Sequence, residues 1–96
     1  MIKHVVLMKF KPGASEARFA DMEEGLKSLP GVISEIKSYE FGLDVVRGER
    51  SYDFALIAEF ENLGSLKGYQ EHPDHLAVVE IIREICENIV AVDFTC

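Results

Sequence analysis

The run YQEHPDH, residues 69–75, places Tyr69, His72, Asp74 and His75 close together in the chain. Imidazole is the side chain that exchanges a proton near neutral pH. His75 is therefore a candidate general base. Tyr69, if the fold brings it within hydrogen-bond reach, could steady a substrate carbonyl or enolate oxygen. His4, on an apolar segment near the N-terminus, is the third candidate. His72 and His75, with Asp74 or His4, would form a metal set. Two histidines are a weak signal for that, and the proline between them pins the backbone for helix entry rather than chelation. No metal and no cofactor are expected. Structural roles compete with the chemical ones. The His72 ring could bond backbone at a helix start. His75 could satisfy a buried carbonyl and fix the angle between two helical segments. Tyr69 could be core, with its hydroxyl tied to His4.

These residues need elements to position them. IKHVVLMKF alternates: Ile2, His4, Val6, Met8 and Phe10 point one way and Lys3, Val5, Leu7 and Lys9 the other. Period two with branched residues predicts a strand, ended by Pro12-Gly13. SEARFADMEEGLKSL then places Phe19, Met22, Leu26 and Leu29 on one helical face, with Ser15 as N-cap and Pro30-Gly31 as the stop. VISEIKSYEFGL predicts a second strand with room for a bulge, and DVVRGERS a polar turn. YDFALIAEF predicts a third strand, with Tyr52, Phe54, Leu56, Ala58 and Phe60 on one face. ENLGSLKGYQ is a short helical segment around Leu63, Leu66 and Tyr69. Pro73 opens a longer helix, where its missing N–H costs nothing. Leu76, Val79, Ile82 and Cys86 mark one side of it, widened by Val78, Ile81 and Ile85. His75 falls in its first turn, where the positive end of the helix dipole disfavours imidazolium. NIVAVDFTC closes the chain as a strand.

The order β-α-β-β-α-β predicts a ferredoxin-like α+β plait spanning residues 1–96 as a single domain. The strands carry apolar residues on both faces, and helices cover only one. A homodimer packed sheet against sheet would bury the other.

The totals narrow the partners. In 96 residues, 48% hydrophobic and 28% charged, the composition is that of a soluble globular domain with a modest core. The net charge of −7 argues against nucleic acid and against anionic membranes. The N-terminal apolar stretch is too short and interrupted for a signal peptide, so a cytoplasmic location is expected. Cys86 and Cys96 form neither a disulfide framework nor a zinc motif, and no chemical role is expected of them.

The stretch SYDFALIAEFENLGSLKGYQEHPDHLAVVE resembles the stress-responsive A/B barrel domain (Dabb) family, and KHVVLMKFK resembles its first strand. The resemblance covers nearly the whole chain. It implies a dimeric α+β barrel in which two sheets pack together. One branch of the family is a plant polyketide cyclase that closes a ring by aldol chemistry without a cofactor. Its pocket is lined by a first-strand histidine, a tyrosine before the His-Pro-x-His run and the last histidine of that run. The matching positions here are His4, Tyr69 and His75. The cyclase also uses a tyrosine on its first helix, and this chain offers Phe19 and Met22 there instead. Related dimeric barrels include haem enzymes, for which His75 or His4 would be the axial ligand; nothing in these residues requires haem.

Together these readings predict a pocket for a small apolar or carbonyl-containing ligand, lined by His4, Val6, Phe19, Met22, Leu26, Tyr69, His75 and Val79. A cavity of roughly 300 Å³ or more is expected of such a site. In the sharper form the protein is a cofactor-free cyclase, isomerase or lyase with His75 as base. The alternative is a non-catalytic, stress-associated dimeric binding or structural module.

Overall fold

The computed structural model describes residues 1–96. The elements are β1 (Ile2–Phe10), α1 (Glu16–Val32), β2 (Ser38–Leu43), β3 (Phe54–Phe60), α2 (Leu63–Glu71), α3 (Pro73–Ile85) and β4 (Cys86–Thr95). The sheet runs β2-β3-β1-β4, with every pair antiparallel. This is the ferredoxin-like plait, its second helical layer split in two at His72.

Alternation decides which face is covered. Val6 and Met8 from β1, and Phe54, Leu56, Ala58 and Phe60 from β3, are buried. They form one core with Met22, Leu26 and Leu29 of α1, Leu66 and Tyr69 of α2, and Val78, Ile82 and Ile85 of α3. All three helices therefore lie on one face. The opposite face stays open: Val5 stands beside Val92 and Leu7 beside Val90 in the register, and Val92 is 64% exposed.

Three details depart from the sequence expectation. α1 runs through Pro30 and Gly31 to Val32, so β2 begins only at Ser38. A proline removes one N–H from the ladder. The next turn still closes, because Ile33 N–H reaches the Leu29 carbonyl at 2.9 Å and the Ile33 side chain is buried. Leu76 is exposed, since the buried stripe of α3 passes through Val78, Ile82 and Ile85. Cys86 has left the helix and opens β4, where it pairs with Phe10.

α1 and α3 meet closely at Gly25, where an added Cβ would stand 2.8 Å from Val78 Cγ2. Valine is stiff at χ1 and Val78 is buried, so the methyl has nowhere to go. Gly25→Ala gains about 1 kcal/mol of helix propensity. The overlap costs about 1–3 kcal/mol, so the net change expected in a thermal melt is destabilising. Pairing it with Val78→Ala should make Gly25→Ala stabilising; a rise in Tm for Gly25→Ala alone would contradict the close packing.

The turn after β2 is held by charge. Arg47 donates to Asp53 at 2.6 Å and to Asp44 at 3.3 Å, and Asp53 accepts from Phe10 N–H at 2.8 Å. The Phe10 N–H and the Arg47 guanidinium together hold the Asp53 carboxyl below its ordinary value.

Candidate functional site

A cavity of about 260 Å³ lies between α3 and the covered face of the sheet. It is lined by His4, Val6, Met8, Leu26, Leu56, Tyr69, His75, Val79, Ile82, Arg83, Ile89 and Ala91. Six of the eight residues expected at the pocket meet there. Phe19 and Met22 do not. At 1.5 Å per residue, Phe19 lies about 10 Å along α1 from Leu26, at the other end of the sheet. It packs against Phe10 and Phe54 and borders a separate cavity of about 210 Å³. Met22 is closed into the core. One apolar helix face thus serves two places, and helical periodicity alone does not separate them. The volume falls just short of the expected range and suits a small compound.

His4 is almost fully buried on the inner face of β1. Its neighbours in the sheet are Ala58 and Asp93. Its Nδ1 is hydrogen-bonded to Asp93 Oδ1, and the Tyr69 hydroxyl pairs with Tyr39 and not with His4. A carboxylate accepts, so Nδ1 carries the proton in that bond and Nε2 is left for other work. The sequence reading did not single out Asp93. An acid within the otherwise apolar NIVAVDFTC strand was the available signal, but it needs the β1–β4 register to become meaningful.

His75, in the first turn of α3, bonds through Nδ1 to the Gln70 carbonyl at 3.2 Å. A carbonyl only accepts, so Nδ1–H donates and the lone pair sits on Nε2, the tautomer a general base requires. Burial holds the His75 pKa below its ordinary value, opposed by the Gln70 bond and assisted by His4 and His72. The ring lies against Tyr69, with centroids 4.2 Å apart.

Tyr69 is fully buried. Its hydroxyl shares a 2.8 Å hydrogen bond with that of Tyr39 on β2. Burial raises the pKa of both, Tyr39 to about 12. The pair therefore remains protonated at neutral pH. When Tyr39 donates, the Tyr69 proton is left for the cavity, which Tyr69 lines.

His72 is the joint between α2 and α3. Its backbone N–H closes α2 on the Tyr69 carbonyl, and its Nδ1 accepts from Asp74 N–H at 3.1 Å. That ring is the N-cap of α3 through Nδ1. No group of three His, Cys, Asp or Glu is gathered in a way that could hold a metal ion. His72→Ala should cost about 1 kcal/mol, as other caps do, a fall of roughly 4–8 °C in Tm. His72→Asn should recover most of it; equal Tm values for the native and Ala forms would remove the cap from the account.

Of the cysteines, Cys86 is buried, which pushes its thiol up to about 11, and Cys96 is exposed. Neither lines the cavity.

Comparison with known proteins agrees with this architecture. The chain is 32% identical to an uncharacterised protein of Streptomyces coelicolor, over 95% of this chain and 96% of that one. It is 26% identical to olivetolic acid cyclase of Cannabis sativa, over 98% and 95% of the two chains. A crystal structure of a dimeric ferredoxin-like protein of unknown function from Thermobifida fusca superposes with a TM-score of 0.89 at 33% identity, covering 99% of this chain and 90% of that one. Residues 2–96 match the Stress responsive A/B Barrel Domain. With that match over nearly its whole length, the chain belongs to the stress-responsive A/B barrel domain family.

Proposed function

We propose that the protein is a cytoplasmic homodimer that binds a small carbonyl compound in the His4–Tyr69–His75 cavity and acts on it as a cofactor-free cyclase, isomerase or lyase. The observation that carries this reading is the pair of imidazoles. Each has Nδ1 committed to a fixed acceptor and Nε2 uncommitted, and both line one apolar cavity. His75, neutral at physiological pH, removes a proton from the carbon beside the carbonyl. His4, held through Nδ1 by Asp93, presents Nε2 to the cavity and orients the carbonyl compound there. Tyr69, held by Tyr39, packs against His75 and supplies a donor. The curated relative named as a cyclase supports a carbonyl substrate. The neighbour described as dimeric, and the open apolar face of Val5, Leu7, Val90 and Val92, support the homodimer.

The test needs no known substrate. In deuterium oxide, the protein should accelerate proton loss beside the carbonyl of acetophenone or cyclohexanone, followed by NMR. His75→Ala should reduce the acceleration by about 10²–10⁴, the usual contribution of a positioned acid or base. No acceleration by the native protein, or an unchanged rate in the variant, would end the catalytic reading.

The pH dependence has a definite sign. The folded His75 pKa lies below 6.5. Activity should therefore persist through neutral pH and fall only below about 6.5. Stability follows the same group. As pH drops through about 6.5 the unfolded chain takes up a proton here before the folded chain does, so folding is weakened on that descent. His75→Gln should show a smaller loss of Tm between about pH 7.5 and 5.5 than the native protein. An equal loss would mean the ring is not held neutral by burial.

A second reading has its own observation: every buried side-chain nitrogen and oxygen has a hydrogen-bond partner, as in a site built for packing. In a non-catalytic dimeric module, His75→Ala would mainly lower Tm, through the lost bond to Gln70, at about 1 kcal/mol.

A further inference from the structure

Apart from the two imidazoles, Arg83 is the one ionisable cation lining the cavity, and no aspartate or glutamate lines it. The chain as a whole carries a net charge of −7. Of the other three arginines, two are engaged by acids, Arg18 by Asp21 and Glu84 and Arg47 by Asp44 and Asp53, while Arg50, on the loop before β3, lines no part of this cavity. Arg83 has no hydrogen bond or ion pair to any side chain. An acidic protein has thus placed a solvent-exposed guanidinium, free of close ion pairs, at the edge of its apolar cavity.

The helix sets the spacing. His75, Val79 and Arg83 are four residues apart and share one face of α3. His75 and Arg83 therefore lie about 12 Å apart along the axis, with apolar Val79 between them. Long helical side chains lean toward the helix N-terminus, which carries the guanidinium back toward His75.

We propose that Arg83 is a specificity-determining residue that binds a carboxylate on the ligand. The class of ligand is then a medium-chain oxo acid. Its carbonyl lies at the imidazoles, its alkyl segment along Val79, Val6 and Ile82, and its carboxylate at Arg83. A planar guanidinium meets a carboxylate with two parallel hydrogen bonds, which an ammonium does not reproduce. Position in the last turn of α3 also lets Arg83 complement the helix dipole, but that needs only a surface site and not a place in the cavity wall. The inference rests on the cavity being a ligand site.

The test is calorimetric binding of octanoate and of octanamide at about pH 8, where a histidine of ordinary pKa is neutral. These probes match in shape and differ in charge. The native protein should bind octanoate about tenfold or more tightly than octanamide, as a charge-assisted bond allows. Arg83→Gln should bring the two affinities together, and Arg83→Lys should restore part of the preference. A preference that survives Arg83→Gln overturns the assignment, as does equal binding of both probes by the native protein; in those cases the cavity still binds ligands. Binding of neither probe overturns the cavity reading itself, and the Arg83 assignment with it.

Discussion

Val92→Asp is expected to turn the proposed homodimer into a monomer. Val92 sits on the uncovered face of the sheet, beside Val5, and is 64% exposed in the single chain. The substitution therefore leaves the core of each chain alone, and the circular dichroism spectrum should be unchanged. In a sheet-to-sheet dimer the same position is buried twice, once per protomer. An uncompensated buried charge costs about 3–5 kcal/mol, which is roughly a thousandfold in Kd. Sedimentation at micromolar concentration should show the native chain at twice its 10.8 kDa mass and the variant at once that mass. A variant that stays dimeric would place the interface elsewhere, since no sheet-to-sheet packing tolerates a carboxylate there.

Tyr69→Ala is expected to be the most damaging single change to the site. The ring is fully buried and lies near His4, Tyr39, Phe60 and His75, at centroid distances of 6.1, 6.1, 4.9 and 4.2 Å. Truncating a buried aromatic costs about 3–5 kcal/mol. The Tyr39 hydroxyl also loses its partner. A fall of at least 12 °C in Tm is expected, at about 4–8 °C per kcal/mol for a chain of this size. Tyr69→Phe keeps the ring and removes only the Tyr39 bond, so its cost should be near 1 kcal/mol. The contrast separates packing from polarity. Equal losses for Ala and Phe would mean that the hydroxyl pair, not the aromatic cluster, holds the site together.

The sequence carried most of the scaffold because the fold is written in periods. The switch from alternation in IKHVVLMKF to three-and-four spacing in Phe19, Met22, Leu26 and Leu29 marks β1 and α1 without ambiguity. Pro73 marks the start of α3, because in the first turn its missing N–H costs no hydrogen bond. Local rules failed where distant packing overrode them. Pro30 and Gly31 read as a stop, yet burial of Ile33 draws one more turn out of α1. Leu76 read as core, yet it faces outward because the stripe is set by what α3 lies against.

The site was legible in its parts and not in its pairings. His4, Tyr69 and His75 do meet at one cavity. Which atom each one holds depends on strand register and on a helix joint. His4 takes Asp93 because β4 lies antiparallel beside β1. Tyr69 takes Tyr39 because β2 flanks β3 on the far side. Neither partner is near in sequence, and no spacing rule reaches across 89 residues. Arg83 had no signal at all until the turn count from His75 could be placed against a cavity.

The joint at His72 has a consequence for motion. α2 has nine residues, among them Gly64 and Gly68. An isolated helix needs about 12–15 residues to hold itself together. The order of α2 is therefore borrowed from Leu66 and Tyr69, which anchor it to the core. Its amides should exchange with solvent ahead of those in β1 and β3. When it lifts, Tyr69 leaves with it, while His4 stays fixed in the sheet. One wall of the chamber is thus carried by a helix that owes its order to two side chains, Leu66 and Tyr69, and not to its own length.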